Sequence, residues 1–569
     1  MTRISLRWRY LCAGALSVYG IWFLLATGVA AWQAYTPLPI WDMWHSIGFL
    51  SRLAEGAGWP IWWEQTNEHR LVLSRMLFWA EQYWFGGSYV FLIVVNYLLV
   101  FAAITTMYIY LRARAGSLSP FQSVASLVLL TCWLLSWLQS ENLIWAFQSQ
   151  FFLAQLLPLI GFYCLYRSSI NSACGHWFVA ACTLGVLSIG TMISGIMALP
   201  MMLLYACVLR MQWPRLAALS ALTAACVTAY FADYTSPGGH GSVIASLKTD
   251  PLGMLQYTVQ YLGSPFQLLP DARQSMWLGQ IFGVAFGLLT LHQLSTALRS
   301  PRTHKLELSL LTFILYVAGI AFATAGGRLG FGLESALSSR YTTPTMMAWA
   351  AIGILYWPQI VALRGKVRAV AVCLLVVLLI LMMEVQMRGT RSADQQHHLR
   401  MTGALALVLN VHDARRIGML IWNEDYGMKL ASLAQQHGIG VIAKPPLGGA
   451  AQLLGQRQDI PPTACKASVE TVEAIAQESR FLLVTGTLLA EGQEAPRSVR
   501  ILGADGTVTG IGMPGRLRKR KAENGSSERV THVTFTAYVQ LPTTQLPARV
   551  VLTAPGTACS VPLTLPLPQ

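Results

Sequence analysis

The residues best suited to chemistry lie in the polar stretch 36–87, TPLPIWDMWHSIGFLSRLAEGAGWPIWWEQTNEHRLVLSRMLFWAEQYWFGG. Asp42 stands there between Trp41 and Trp44. Further along comes a polar tetrad, Asn67, Glu68, His69 and Arg70. A carboxylate can take a proton from a hydroxyl, and histidine and arginine can hold an anion. The stretch is therefore predicted to form part of an active site, with Asp42 as the catalytic residue.

Three later segments supply further candidates. They are 139–150 (QSENLIWAFQSQ), 233–275, which contains SPGGHGS, and 326–341 (GGRLGFGLESALSSRY). The residues predicted to hold an anionic group of the substrate are Arg328, Arg340, Tyr341, Arg70 and His69. Those predicted to contact the rest of the substrate are Glu68, Asn67, Glu141, Asn142, Trp41, Trp44 and His240. Segment 233–275 is expected to cover the site as a mobile flap, although a lone loop histidine such as His240 equally suits a solvated position.

Each candidate also has a simpler structural interpretation. Asp42 would then be an interface residue beside an aromatic belt, and Asn67 would cap the helix that follows it. Arg328 and Arg340 would pair with Glu334 or with lipid headgroups. Ionisable groups at a membrane boundary are costly unless they are solvated or partnered. The outer arginines also run against the charge bias described below, which favours the functional interpretation.

The composition shows what kind of protein must position these residues. The chain has 569 residues, of which 54% are hydrophobic and 11% are charged, and its mean hydropathy is +0.48. This is typical of an integral membrane protein, in which a spanning helix needs roughly 20 apolar residues. About eleven segments meet that need: 11–33, 89–110, 119–138, 150–166, 177–193, 195–210, 215–232, 277–297, 307–325, 342–361 and 368–387. The predicted fold class is a polytopic α-helical membrane protein with residues 1–387 as its transmembrane core.

The distribution of charge orients these spans. If the N-terminus is inside the cell, every inner turn carries arginine or lysine, as the positive-inside rule requires. The segment after about residue 388 is then exported. The net charge of +15 comes largely from the inner arginines, so it is no sign of nucleic-acid binding. The first outer loop, 34–87, contains two amphipathic segments, 43–54 and 71–84, which are expected to form helices in the interface plane.

Residues 388–569 are predicted to form a separate exported domain of α+β or β-sandwich type. Helices are expected at 396–411 and 426–436, and strands at 418–422, 440–443, 481–490, 498–512, 530–541 and 548–554. Asp505-Gly506 predicts a hairpin turn, and the basic run 516–521 (RLRKRK) is interpreted as a solvated loop. Cys465 and Cys559 lie in this exported part, where they could pair as a disulfide.

The sequence also limits the class of substrate and the type of reaction. The sequence contains neither a Walker loop nor a Rossmann fingerprint, and an exported site has no nucleotide donors in reach, so the substrate should arrive on a lipid carrier. One carboxylate and several cations suit a reaction in which a hydroxyl is deprotonated and a phosphate departs. Asp42 would deprotonate the acceptor hydroxyl, while arginines hold the departing phosphate. Direct displacement with one base predicts inversion at the attacked carbon, and no metal ligands are predicted from the sequence.

A long first outer loop with an acidic residue just after the first span, followed by an NEHR tetrad, resembles the GT-C superfamily of polytopic glycosyltransferases. SENLIWAFQSQFF (140–152) and GRLGFGLESALSSRYTTP (327–344) look like recurring elements of bacterial members. The resemblance covers residues 1–387 and is closest in plan to arabinofuranosyltransferases, including those that modify pilin. One departure is that many members carry two acidic residues after the first span, whereas here Met43 follows Asp42, which argues against a metal role at this point.

The resemblance implies a polyprenyl-phosphate-linked sugar as donor, with D-arabinofuranose as the expected sugar. It implies a pilin or a cell-surface glycan as acceptor. It also implies a multi-pass protein of the bacterial inner membrane whose C-terminal domain, 388–569, lies in the periplasm. The expected partners are membrane lipids, the lipid-linked donor and the acceptor, but no nucleic acid.

Two other classes of function remain open at this stage. A transporter or flippase of a lipid-linked sugar would place ionisable groups near the bilayer midplane, whereas here they concentrate at the outer boundary. A membrane anchor for an exported binding domain would need neither eleven spans nor so polar a first loop.

Overall fold

The computed structural model describes residues 3–171, 175–236, 238, 241–269, 271–391, 394–459, 466–490, 499–521, 529–541, 550–554 and 559–563. The helices up to residue 391 are α1 (Arg3–Ala34), α2 (His45–Ala54), α3 (Pro60–Trp63), α4 (Val72–Trp84), α5 (Val90–Ala115), α6 (Pro120–Leu134), α7 (Ser140–Ile144), α8 (Ser149–Ile170), α9 (Gly175–Ser188), α10 (Ala198–Val208), α11 (Trp213–Phe231), α12 (Val243–Thr249), α13 (Pro251–Leu262), α14 (Ala272–Arg299), α15 (Lys305–Arg328), α16 (Ser339–Leu355), α17 (Trp357–Ala362) and α18 (Gly365–Gly389). Those that follow are α19 (Asp394–Leu409), α20 (Ala414–Ile417), α21 (Glu424–Gln436) and α22 (Ala450–Leu453).

Each of the eleven segments predicted to span the membrane coincides with a helix. Within the described ranges, eight helices are long and apolar enough to cross a bilayer: Arg7–Ala34, Val90–Ala115, Pro120–Ile144, Ala146–Ile170, Trp213–Phe231, Arg273–Arg299, Lys305–Phe331 and Gly365–Gly389. The other three are shorter, namely α9, the stretch Ile193–Val208 and the 17-residue α16. The chain is therefore a polytopic helical membrane protein, with eight helices of spanning length among the described residues rather than the expected eleven.

The chain divides into two compact units. The first, here called the helical unit, comprises Met1–Trp32, Trp62–Leu77 and Leu92–Arg391. The second, the mixed unit, comprises Gln33–Ile61, Phe78–Phe91 and Ser392–Gln569. The first predicted outer loop thus contributes residues to both units, and Asp42 belongs to the mixed unit.

Within the helical unit, segments that are far apart in the sequence are bonded to one another. The Arg70 side chain donates to the carbonyl of Ala232 at 2.6 Å, and both residues belong to predicted outer segments. Arg114 pairs with Glu307 at 3.0 Å, and both residues belong to predicted inner turns.

The mixed unit contains a seven-stranded antiparallel sheet. Its strands are β1 (Lys466–Ile475), β2 (Glu478–Ala490), β3 (Val499–Gly503), β4 (Val508–Lys521), β5 (Arg529–Gln540), β6 (Val550–Ala554) and β7 (Cys559–Leu563), in the spatial order β1-β2-β5-β4-β3-β6-β7. Val484, Val499 and Phe535 are buried in its core. Asp505 and Gly506 form the predicted hairpin turn between β3 and β4. In the described ranges the strands form one sheet accompanied by helices, which fits the α+β alternative for this domain and not the two-sheet sandwich.

Several predicted details of the mixed unit are wrong. Residues 418–422 form a turn after α20, and 440–443 contain a 3₁₀ helix, Val441–Ala443, in place of strands. A short apolar run fits a buried turn as well as a strand, so its pattern alone does not distinguish them. The basic run 516–521 continues β4 and pairs with β5 instead of forming a loop. Strands β1 and β7 have no counterpart in the prediction.

The first-loop segments of the mixed unit are hydrogen-bonded to its C-terminal helices. Both predicted loop helices are present, as α2 and α4. The Nδ1 atom of His45 on α2 is 3.2 Å from the hydroxyl of Tyr426 on α21. Glu55 follows α2 and pairs with His437, which follows α21, at 3.2 Å. These contacts attach the segment that carries Asp42 to the C-terminal part of the chain.

Candidate active site

Asp42 lies in a short 3₁₀ turn of the mixed unit, Trp41–Trp44. Met43 and Trp44 beside it are buried, with 1% and 0% of their surface exposed, and so fix the turn to the core. The Asp42 side chain is half-buried. Across the described residues, no hydrogen bond or ion pair engages its carboxylate. Both carboxylate oxygens therefore remain available to accept a proton.

The residue before Asp42 has an unusual backbone conformation. Trp41 has a φ of 50°, a region that bulky residues rarely adopt because Cβ approaches the backbone. Its backbone N–H donates to the carbonyl of Leu420 at 2.6 Å. A conformation of this kind costs of order 1–3 kcal/mol, and such residues cluster at functional sites. The bond to Leu420 holds the strained turn in place.

In the helical unit, two segments singled out from the sequence, 139–150 and 326–341, are hydrogen-bonded to each other. The side-chain amide of Asn142 donates to the carbonyl of Arg340 at 2.9 Å and to the hydroxyl of Thr343 at 2.6 Å. Asn142 is fully buried, where each lost hydrogen bond is costly. We call this contact the Asn142 junction; it fixes the backbone from which the Arg340 side chain extends.

Glu141 is held at the same place through its backbone. Its N–H donates to the hydroxyl of Ser339 at 3.2 Å, and that hydroxyl donates to the carbonyl of Leu138 at 2.8 Å. The Oε2 atom of Glu141 is buried and has no hydrogen-bond partner in the part of the chain that the structure describes. A buried carboxylate oxygen of this kind can accept a hydrogen bond from a substrate hydroxyl.

An aromatic stack supports the Arg340 guanidinium. Its central carbon lies 5.5 Å from the ring centroid of Tyr341. The Tyr341 ring stacks in turn on Tyr261 of α13, with centroids 5.2 Å apart. Both rings are buried, with 8% and 1% of their surface exposed. The stack restricts the orientation of a half-buried cation and adds a cation–π attraction.

Arg328 ends α15 and is half-buried. Its central guanidinium carbon lies 5.6 Å from the ring centroid of Phe331. No carboxylate among the described residues pairs with it, so the alternative pairing with Glu334 is not found for Arg328. A guanidinium without an acidic partner can bind two oxygens of a phosphate.

The hydroxyl of Tyr257 on α13 is influenced by the positive charges of both arginines. Burial raises the pKa of Tyr257 to about 12, and Arg328 and Arg340 both act to lower it. The hydroxyl is 3.1 Å from the Ser335 hydroxyl. At neutral pH it is therefore a neutral hydrogen-bond donor close to both cations. Sequence reasoning missed Tyr257, although the i, i+4 pair that it forms with Tyr261 marks one face of a helix.

The end of α15 is positioned by close contact with α12. The Ser246 hydroxyl donates to the carbonyl of Gly326 at 2.9 Å, and the backbone N–H of Gly241 donates to the carbonyl of Gly327 at 3.2 Å. A Cβ at Gly326 would lie 2.5 Å from the Cα of Val243, so only glycine permits this approach. Segment 233–275 thus contains the packed helices α12 and α13, the latter with buried tyrosines, and these helices hold Arg328 in place.

The polar tetrad of the first loop forms a tight turn. Thr66 and His69 exchange backbone hydrogen bonds of 2.8 and 2.9 Å across Asn67 and Glu68. Asn67 has a φ of 50°, which asparagine tolerates. Helix α4 begins only at Val72, so the alternative that Asn67 caps this helix is wrong.

His69 is oriented by its neighbours in the helical unit. Its Nδ1 atom accepts a hydrogen bond from the backbone N–H of Ile193 at 3.2 Å. The neutral ring must then carry its proton on Nε2, which is 3.8 Å from Oε1 of Glu68. His69 is thereby fixed in one tautomer, with its donor nitrogen near the Glu68 carboxylate.

Arg70 is buried, with 5% of its surface exposed. Its guanidinium donates to the carbonyls of Tyr230, Trp63 and Ala232 at 2.9, 2.8 and 2.6 Å. It also lies over the Trp63 and Tyr230 rings. Arg70 therefore ties the tetrad to the end of α11, and its predicted role in phosphate binding stays a prediction.

Replacing Arg70 with methionine is expected to destabilise the protein by about 3 kcal/mol or more, because three buried carbonyls lose their donor. Lysine at this position should give a smaller loss, since one ammonium group cannot reach all three oxygens in the same geometry. The midpoint of thermal unfolding in detergent measures the effect. The matched control is Arg273→Met, at an exposed position of α14; an equal shift in both variants would contradict the structural role.

The predicted site residues fall into three groups. The mixed unit contains Trp41, Asp42 and Trp44. The tetrad turn of the helical unit contains Asn67, Glu68, His69 and Arg70. The surroundings of the Asn142 junction contain Glu141, Asn142, Arg328, Arg340 and Tyr341. His240 and Cys465 lie outside the described residues, as does the side chain of Cys559. No group of three or more His, Cys, Asp or Glu that could hold a metal occurs in the ranges that the structure describes.

No protein-family model matches the chain, and no curated protein does. Among solved structures, the chain is similar to the archaeal oligosaccharyltransferase AglB from Archaeoglobus fulgidus, determined in complex with an inhibitory peptide and a dolichol-phosphate. The identity is 12% and the TM-score 0.39, over 72% of this chain and 60% of that one. The chain thus spans less than two thirds of that protein's length. The class of protein, a polytopic helical membrane protein with a C-terminal antiparallel sheet, follows from the chain's own helices and strands.

Proposed function

We propose that this protein is a membrane glycosyltransferase of the GT-C type. It transfers a sugar, D-arabinofuranose in the first instance, from a polyprenyl phosphate to a hydroxyl of a pilin or a cell-surface glycan. The acceptor is reached on the exported side of a bacterial inner membrane, with residues 388–569 in the periplasm. The proposal rests on the sequence resemblance together with the geometry of the candidate residues.

The observation that carries the proposal is the Asn142 junction. It joins the two sequence segments that resemble GT-C elements, and it fixes the backbone of Arg340. Both Arg340 and the half-buried Arg328 act electrostatically on Tyr257. Two guanidinium groups that both act on Tyr257, a neutral hydroxyl donor, suit a phosphate that gains negative charge as its bond to the sugar breaks. The bond between Asn142 and Arg340 thus gives a physical reason why two motifs that are far apart in the sequence belong together.

The residues then take the following roles. Asp42 accepts the proton of the acceptor hydroxyl as that oxygen attacks the anomeric carbon. Arg328 and Arg340 hold the phosphate as it leaves with the electrons of the broken bond, so no strong acid is needed. Glu141 and the tetrad turn, with His69 as an oriented donor, contact hydroxyls of the substrate. One displacement inverts the anomeric carbon.

The alternative of a transporter or flippase is less well supported. The proposed base lies outside the spanning helices, in the turn Trp41–Trp44. The proposed phosphate ligands lie at helix ends, since Arg328 ends α15 and Arg340 begins α16. Groups at helix ends suit a reaction at the membrane boundary, whereas transport is expected to use groups near the bilayer midplane.

The purified full chain in detergent is expected to release polyprenyl phosphate from a polyprenyl-phospho-arabinofuranose donor when an acceptor peptide or glycan is present. Mass spectrometry of the lipid and of the acceptor measures the two products in equal amounts. Donors carrying other sugars, tested in parallel, define the sugar. Movement of the intact donor across proteoliposome membranes without cleavage would contradict the proposal and favour the flippase.

A further inference from the structure

The helical unit contains a basic cavity far from the Asn142 junction. Its volume is about 240 Å³, and its lining includes Ser168, Ser169, Arg210, Arg215, Arg302 and Lys305. Among the lining residues that the structure describes, none is acidic. Lys305 begins α15 and Arg328 ends it, and a helix of 24 residues is about 36 Å long. The cavity is therefore separate from the candidate active site and has no part in the proposed reaction.

Two of the cations are fixed by the end of α8. Arg215 donates to the carbonyl and the hydroxyl of Ser168 at 3.0 and 2.9 Å, and Lys305 donates to the carbonyl of Ser169 at 2.7 Å. These groups orient the two cations. Carbonyls at a helix C-terminus have no donor within the helix and carry partial negative charge, so they attract cations.

The acidic residue nearest in sequence is already paired. Glu307 binds Arg114 at 3.0 Å, and it is not part of the cavity lining. The side chains of Arg210 and Arg302 are exposed. Four like charges around a small cavity repel one another. A bound anion would relieve that repulsion, and guanidinium groups match the oxygens of phosphate in particular.

The position of the cavity points to a lipid as the source of the anion. Trp213, the first residue of the spanning helix α11, follows the lining residue Gln212, and 77% of its surface is exposed. Exposed tryptophans at the ends of spanning helices lie at the level of lipid headgroups. A volume of 240 Å³ equals that of about eight water molecules in the liquid, which is enough for a phosphate with its glycerol. We propose that this cavity binds the phosphate of an anionic phospholipid headgroup.

The test uses the purified full chain and native mass spectrometry in detergent. The wild type should retain phosphatidylglycerol at least about tenfold more strongly than phosphatidylcholine. The double variant Arg210→Gln/Arg302→Gln should retain phosphatidylglycerol roughly tenfold less strongly, or less strongly still. The reason is that two surface cations near the headgroup are lost. Both side chains are exposed, so the substitutions should leave folding intact. If the double variant does not fold, Arg302→Gln alone repeats the test.

The matched control is Arg364→Gln/Arg368→Gln, which removes the same charge from exposed positions at the start of α18; it should retain the lipid like the wild type. Equal retention by the wild type and the Arg210/Arg302 variant would overturn the proposal. So would equal retention of the two lipids by the wild type. Complete displacement of the lipid by excess inorganic phosphate would also overturn it, and would assign the cavity to a soluble anion.

Discussion

Replacing Asp42 with asparagine is expected to slow sugar transfer by roughly 10²- to 10⁴-fold, the contribution typical of a general base. Asparagine has the size and shape of aspartate but cannot take the proton of the acceptor hydroxyl. Across the described residues, no group bonds to the Asp42 carboxylate, so the substitution leaves no partner unsatisfied. Folding and donor binding should therefore be unchanged. The measurement is the initial rate of polyprenyl phosphate release, with thermal unfolding recorded on the same samples.

The matched control for this variant is Asp425→Asn. Asp425 is an exposed carboxylate of the same unit, in the first turn of α21, and its loss should change the rate little. Turnover near that of the wild type in Asp42→Asn would remove Asp42 from the reaction. Loss of folding in Asp42→Asn but not in Asp425→Asn would show instead that Asp42 serves the structure of its turn.

The helices of the membrane part could be predicted because their signal is local. A run of apolar residues long enough for the bilayer must satisfy its backbone polar groups internally, and only a helix does so within one segment. All eleven predicted segments are accordingly helical. Their lengths were less predictable: α9 and the stretch Ile193–Val208 are shorter than the eight helices of spanning length among the described residues.

The set of chain segments that make up the mixed unit could not be predicted from the sequence. The Gln82 side chain accepts a hydrogen bond from the backbone N–H of Gly440 at 3.0 Å and donates to the carbonyl of Gly438 at 3.1 Å. The Lys444 ammonium donates to the carbonyl of Gly86 at 2.6 Å. Residues more than 350 positions apart meet in these bonds, and neither periodicity nor propensity carries such pairings. The loop that contains Asp42 therefore shares a unit with the C-terminal domain for reasons visible only in three dimensions.

The candidate site was partly predictable for a similar reason. Charged and polar residues in otherwise apolar surroundings identify the segments that contain Asp42, Asn142 and Arg340. The sequence does not reveal which of them touch. The left-handed backbone of Trp41 and the three carbonyls bound by Arg70 depend on neighbours from other segments. The same is true of Tyr257, whose hydroxyl lies close to two arginines only after α13 has packed.

Replacing Arg328 with glutamine is expected to lower kcat by roughly 10²-fold, the loss typical of removing one donor to a developing negative charge. The leaving phosphate gains charge only as its bond to the sugar breaks, so the guanidinium stabilises the transition state more than the bound donor. KM for the donor should therefore change much less than kcat. Lysine at this position keeps the charge but loses two-point binding of phosphate oxygens, so Arg328→Lys should fall between the wild type and Arg328→Gln. Steady-state kinetics at several donor concentrations separate kcat from KM.

The matched control is Arg273→Gln, which removes an exposed arginine at the start of α14 and should leave both constants unchanged. If Arg328→Gln raised KM and left kcat intact, Arg328 would bind the donor without acting on the leaving group. If neither constant changed, the phosphate would have to be held by Arg340 alone. A guanidinium that is half-buried at a helix end and pairs with no carboxylate among the described residues would then have no assigned chemical task.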